Sequence, residues 1–114
     1  MYKQIKELKT EPVLNSIGKE KMIKTNLADF DWCNPKLRLY SMIQVKPGEE
    51  IEYHMHMGES EWYFFLSGKG ICNDNGTKLD IVPGLATLTM SGQGHSVKNT
   101  GDEPIVFMAL IIAD

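Results

Sequence analysis

Two histidines separated by one residue, His54 and His56, constrain this chain more than any other feature. They lie in a segment typical of a β-strand, and Glu61 opens the aromatic run that follows. Because side chains alternate between the faces of a strand, both imidazoles leave the same face, a few ångströms apart. Imidazole nitrogens and carboxylate oxygens are ligands for divalent transition metals. The stretch therefore predicts a chelating strand, in a fold that can bring further ligands to it.

His95 is the only other histidine in the chain. A tight turn at residues 92–94 leads into it, and Val97 and Asn99 follow with the period of two that is typical of a strand. A fourth ligand could come from elsewhere in the chain, and His95 is the one histidine left to supply it. We therefore expect all three histidines to belong to one site.

The glycines around these residues carry a resemblance to a known family. The first motif of the cupin superfamily has the form G-x5-H-x-H-x4-E-x6-G, and it is matched by Gly48, His54, His56, Glu61 and Gly68. The second motif, G-x5-P-x-G-x2-H-x3-N, is matched by Gly84, Gly92, His95 and Asn99, with Met90 in place of the proline. Leu85 stands where an acidic residue often follows the first glycine of that motif. The chain thus resembles a small single-domain cupin.

The resemblance implies that one divalent transition metal is held by His54, His56, Glu61 and His95. The ligand set suits Mn, Fe, Co, Ni, Cu or Zn and does not choose among them. Glu59 is a rival carboxylate because it lies two residues before Glu61, but the motif spacing favours Glu61 as the ligand. Glu59 is then expected to be exposed or to support a ligand.

Short strands separated by glycine turns, without a convincing long helix, run through the rest of the chain. This pattern predicts an all-β barrel of the double-stranded β-helix, or jelly-roll, type. Residues 37–114 form the predicted barrel of a single-domain chain, preceded by a lysine-rich N-terminal arm of residues 1–36. Leu37–Val45 alternates cleanly and should present two different faces. The run Trp62–Leu66 is apolar throughout, which predicts a strand buried on both faces.

Composition and charge argue against several classes of partner. The 114 residues carry a net charge of −3, and no basic cluster lies among aromatic residues, so nucleic acid is not an expected partner. The longest apolar run, residues 105–113, is far shorter than the ~20 residues that span a bilayer, and no signal-peptide pattern opens the chain. Cys33 and Cys72 do not form a C-x-x-C pair. We therefore expect a cytoplasmic protein with reduced thiols and no membrane partner.

The leading functional hypothesis is a metal-dependent enzyme, a dioxygenase or a sugar isomerase or epimerase, that acts on a small polar metabolite. The alternative is a cupin that binds or senses a small molecule without turnover, which the lack of an obvious acid or base beside the ligands favours. Tyr40, Gln44 and Tyr63 are the polar candidates near the ligand strands. Arg38, the only arginine, either grips an anion in the barrel or lies on the surface. The apolar strand at residues 105–112 is either central or covered by a partner, so a homodimer is expected.

Overall fold

The structure, a computed structural model, describes residues 1–114. One short 3-10 helix at Ile5–Glu7 precedes ten strands. The strands are β1 (Thr10–Leu14), β2 (Glu20–Asn26), β3 (Leu37–Val45), β4 (Glu50–Met55), β5 (Glu59–Ser67), β6 (Gly70–Asp74), β7 (Thr77–Ile81), β8 (Ala86–Thr89), β9 (Gly94–Asn99) and β10 (Ile105–Ala113). The all-β prediction is confirmed. None of the helical structure is long and apolar enough to cross a bilayer.

The strands form two antiparallel sheets around one core. The six-stranded sheet has the order β1-β2-β3-β10-β5-β8, and the four-stranded sheet has the order β4-β9-β6-β7. Both sheets contribute buried apolar side chains to a single cluster, which comprises Ile43, Val45, Tyr63, Phe65, Cys72, Ile81, Val97, Ile105, Phe107 and Ala109. Full burial of a large apolar side chain stabilises the folded state by roughly 1.5–3 kcal/mol. Burial of this cluster therefore provides much of the free energy that holds the two sheets together.

The predicted N-terminal arm contributes two strands to the six-stranded sheet. β2 pairs with β3 along five residue pairs, and β1 pairs with the other side of β2. The hydroxyls of Thr10 and Thr25 lie 3.1 Å apart across these two strands. A domain boundary at residue 36 stays a prediction.

β3 and β10 show the faces expected from their sequences. In β3, Ser41, Ile43 and Val45 are buried, whereas Tyr40 is 41% exposed. β10 is almost wholly apolar and lies between β3 and β5, so it occupies a central position in the sheet. The predicted alternation of β3 is confirmed.

β5 has one buried and one exposed face. Glu61, Tyr63 and Phe65 point into the molecule, whereas the side chains between them are exposed by 42% at Trp62 and 44% at Phe64. The prediction that both faces of this run are buried is wrong, because no other element of the chain covers the outer face of the six-stranded sheet. The homodimer that would cover this face stays a prediction.

The turn between β6 and β7 is the tight hairpin that Asn75-Gly76 predicts. Both residues adopt positive φ, 48° at Asn75 and 97° at Gly76, as a two-residue hairpin turn requires. The turn also contacts the start of β9, because the Asn75 N–H donates to the Gly94 carbonyl at 2.9 Å, next to His95. A local turn thereby helps to place a residue of the predicted site.

Candidate metal centre

The four predicted ligands come from both sheets and meet between them. His54 lies in β4 and pairs directly with His95 in β9. His56 follows the end of β4, where its backbone N–H and carbonyl bond to the turn before β9 at 2.9 and 2.7 Å. Glu61 reaches the same point from β5 of the opposite sheet. The structure therefore brings together all four residues, here called the histidine–glutamate cluster.

The donor atoms of the cluster are closely spaced. His95 Nε2 lies 3.0 Å from His56 Nε2, 3.1 Å from His54 Nε2 and 2.9 Å from Glu61 Oε1. His56 Nε2 lies 3.0 Å from the same carboxylate oxygen. Ligands bound at about 2.1 Å lie about 3.0 Å apart at adjacent corners of an octahedron, but about 3.4 Å apart in a tetrahedron. The spacing fits adjacent positions around a six-coordinate ion.

Each imidazole is held from outside the cluster through its Nδ1 atom. The partners are the Glu52 carbonyl for His54 at 2.8 Å, the Glu59 carboxylate for His56 at 2.6 Å and the Thr89 hydroxyl for His95 at 2.8 Å. A carbonyl oxygen only accepts, so His54 donates from Nδ1 and its Nε2 keeps a lone pair. Lone pairs that face each other at about 3 Å repel unless a cation lies between them. An outward N–H held by an oxygen is the usual arrangement of metal-binding histidines.

Glu59 supports His56 rather than joining the cluster. Its Oε2 accepts from His56 Nδ1, and its Oε1 accepts from Arg38, each at 2.6 Å. The hydrogen bond from Arg38, followed by that from His56, lowers the pKa of the Glu59 carboxyl. Glu59 therefore stays ionised and accepts a hydrogen bond from the Nδ1–H of His56. This leaves His56 Nε2 free to bind a metal. Arg38 is exposed on the surface, which is the second of the two expectations for it, and its guanidinium is bound to Glu59.

A matched pair of substitutions separates the roles of the two glutamates. We expect Glu61→Gln to weaken metal binding by about tenfold or more, because a neutral amide oxygen is a poorer ligand than a carboxylate. Glu59→Gln should change the affinity by only about two- to threefold, because the amide oxygen still accepts the His56 N–H. Competition with a chromophoric chelator measures both affinities. A larger loss in Glu59→Gln would assign the ligand role to Glu59.

Tyr63 is the only tyrosine that reaches the cluster. Its ring stacks on His95, with centroids 4.6 Å apart and planes 13° apart, and its hydroxyl lies 3.4 Å from His95 Nε2. Burial, together with the charge of Glu61, raises the pKa of Tyr63 well above its ordinary value. Tyr40 and Gln44, the other two candidates, are on the opposite face of β3 from the buried residues and do not reach the site.

The cluster is largely shielded from solvent. His56, Glu61 and His95 are 6%, 4% and 1% exposed, whereas His54 is partly exposed. His54 is therefore the residue of the cluster that is most accessible to solvent.

Comparison with known proteins decides the family. A sequence model of the cupin domain matches residues 41–111, which is more than half of the chain. The chain belongs to the cupin family. The resemblance noted in the two motifs is confirmed, and with it the double-stranded β-helix barrel.

Proteins from Thermotoga maritima and Bacillus subtilis are similar to this cupin. The Oxalate-binding protein of that organism is 36% identical over 95 residues, which cover 83% of this chain and 78% of that protein. A crystal structure of a predicted oxalate decarboxylase from the same organism has a TM-score of 0.88 at 33% identity, and the match covers 100% of both chains. The oxalate decarboxylase OxdC of Bacillus subtilis is 29% identical over 79 residues, which cover 65% of this cupin but only 20% of that protein.

Sequence reasoning found the cluster and allowed for Glu59 as a group that supports a ligand, but it missed the two other groups that hold imidazoles. Glu52 acts through its backbone carbonyl, which no residue type reveals. The sequence carried a signal for Thr89, because it is a polar residue in a short strand. Only the structure shows that it lies directly opposite Glu61. Arg38 and Glu59 are 21 positions apart, and only the packing of the strands brings them together.

Proposed function

We propose that this cupin binds one divalent transition metal through the histidine–glutamate cluster and, through that metal, a small dicarboxylate of the oxalate class. The carrying observation is the inward orientation of three Nε2 atoms and one carboxylate oxygen, with neighbouring distances of 2.9–3.1 Å. A bound metal supplies positive charge and open coordination positions for oxygen ligands. Four protein donors around a six-coordinate ion leave room for a ligand that chelates through two oxygens.

The relatives support oxalate as the ligand class. The relative that is 36% identical is named an oxalate-binding protein, and the two decarboxylases carry the same anion in their names. The two carboxylates of oxalate can chelate one ion. Neither kind of name points to the dioxygenase or isomerase chemistry that the sequence left open.

Binding without turnover is the better supported form of this function. Glu61 belongs to the cluster, and both oxygens of Glu59 accept hydrogen bonds from Arg38 and His56. The pKa of Tyr63 is raised by burial, so the phenol releases its proton with difficulty. No side chain beside the cluster is therefore poised to exchange a proton with a bound anion, as general acid–base catalysis requires.

Decarboxylation of oxalate is the second candidate, favoured by the names of two relatives. Release of carbon dioxide from oxalate by the metal-loaded protein would assign that activity. Retention of oxalate without carbon dioxide release would assign binding.

The proposed function is tested on protein purified without a histidine tag or chelator. We expect stoichiometric transition metal by elemental analysis, and heat of binding on titration with oxalate. Chelator-treated protein should lose this heat and regain it on reloading, while acetate, which cannot bridge two positions as oxalate does, should bind at least about tenfold more weakly. Oxalate binding that persists without metal, or a protein that takes up no metal on reconstitution, would contradict the proposal.

A further inference from the structure

We infer that Tyr63 is a ligand-contacting residue, whose hydroxyl donates a hydrogen bond to the anion bound at the metal centre. This inference rests on the proposed function and deepens it. It assigns a specificity role to a residue that occupies a variable position of the first cupin motif quoted above.

The position of Tyr63 is fixed by packing. It is 3% exposed, its ring stacks on His95 and it also packs against Phe107 with centroids 4.6 Å apart. In β5 it follows Glu61 by two residues, so strand alternation places both side chains on the same inward face. The hydroxyl cannot turn out to solvent without removing the ring from the core.

Metal binding changes the hydrogen bonding open to this hydroxyl. Its partner in the structure is His95 Nε2, at 3.4 Å. That nitrogen has one lone pair, and coordination to a metal uses it. The hydroxyl then needs another acceptor, because a buried donor without a partner is costly. The Glu61 carboxylate, which lies close to this hydroxyl, keeps acceptor lone pairs when one of its oxygens binds a metal, and a bound anion is a second acceptor that arrives with the metal.

A second hydroxyl beside Tyr63 lacks a partner. Thr87 lies directly opposite Tyr63 in the pairing of β5 with β8, on the same inward face. Its buried Oγ1 atom has no hydrogen-bond partner in the structure. Polar atoms that are buried without partners in a native fold commonly meet a ligand or water. This wall of the barrel therefore has donor capacity that the protein itself does not use.

The chemistry of the donor indicates the class of ligand. A tyrosine hydroxyl is a hydrogen-bond donor, so Tyr63 offers a hydrogen and not a negative charge. A carboxylate oxygen that is not bound to the metal accepts such a hydrogen strongly, because hydrogen bonds to charged acceptors are shorter and stronger than neutral ones. Tyr63 therefore favours carboxylate ligands over uncharged ones.

Tyr63→Phe tests the inference, because it keeps the ring and its stacking and removes only the hydroxyl. Zn²⁺-loaded wild type, Tyr63→Phe and Tyr40→Phe are each titrated with oxalate, and their zinc content is measured by elemental analysis. Tyr40 is the matched control because it is an exposed tyrosine on the outer face of the same sheet. We expect unchanged zinc in all three proteins and roughly tenfold weaker oxalate binding in Tyr63→Phe alone.

Equal oxalate affinity in Tyr63→Phe and wild type would overturn the inference and leave the proposed function standing. Loss of zinc from Tyr63→Phe would also overturn it, since the hydroxyl would then act on the metal and not on the anion. Failure of zinc-loaded wild type to bind oxalate would overturn both proposals. If Tyr63→Phe does not fold, wild type labelled on its tyrosine rings answers the question by NMR. The Tyr63 resonances should shift with oxalate while those of the exposed Tyr40 do not, and an unshifted Tyr63 would overturn the inference.

Discussion

Replacing His56 by alanine is expected to lower metal affinity by at least tenfold, and by about a hundredfold if the remaining ligands do not rearrange. His56 contributes to the site through both of its ring nitrogens. Its Nε2 lies within 3.0 Å of both His95 and Glu61, and its Nδ1 holds Glu59 at 2.6 Å. The substitution therefore removes one donor and leaves the Glu59 carboxylate, largely buried, with Arg38 as its remaining partner.

Elemental analysis and chelator competition measure this effect. Met55→Ala is the matched control, because Met55 lies between His54 and His56 and its side chain is 54% exposed. We expect the control to retain metal as the wild type does. Unchanged metal content in His56→Ala would mean that the metal, if one binds, lies elsewhere in the molecule.

Replacing Gly70 by alanine is expected to destabilise the fold by about 3 kcal/mol, with a fall in melting temperature of about 10 °C or more. A Cβ atom at this position would lie 2.0 Å from the Lys98 carbonyl oxygen and 2.8 Å from Ile105 Cδ1. β6 pairs with β7 on one side and β9 on the other, so its backbone cannot move away without breaking a sheet. Gly70 is therefore required by the close approach of two strands.

Thermal or urea unfolding followed by circular dichroism measures this difference. Gly101→Ala is the control, since a Cβ there meets its nearest neighbour at 3.4 Å and the backbone is not in the left-handed region. The control should unfold within about 1 kcal/mol of the wild type. Equal stability of the two variants would show that β6 and β9 can separate enough to admit a methyl group.

The histidine–glutamate cluster could be predicted from sequence because the spacing of its members depends on local geometry. Strand alternation relates His54 to His56 whatever the rest of the fold does, and the glycine turns that flank the strands are visible in the residue types. The pairing of His54 with His95 then follows from the barrel. Residues that are placed by a strand period and a turn can therefore be identified from the order of residue types alone.

The exposure of β5 could not be predicted in the same way. Trp62, Phe64 and Leu66 have the composition of a buried strand, yet each is exposed by about two-fifths in the single chain, at 42%, 44% and 43%. Apolar composition indicates that a surface favours contact with other apolar groups. It does not show whether those groups belong to the same chain. The bond between Arg38 and Glu59 was also beyond sequence, because it depends on where two separate strand ends meet.

The composition of the histidine–glutamate cluster also sets the net charge around a bound metal. Histidines bind metals as neutral groups, so Glu61 alone brings a negative charge to the ion, and the charge of Glu59 is offset by Arg38. A divalent ion would leave one positive charge in excess in a space where three of the four ligands are almost fully buried. Uncompensated charge is costly in such a medium. An uncharged sugar would leave that excess in place, an anion of one charge would cancel it, and a dianion such as oxalate would replace it with one negative charge, so the metal centre would discriminate by charge before any contact of shape is made.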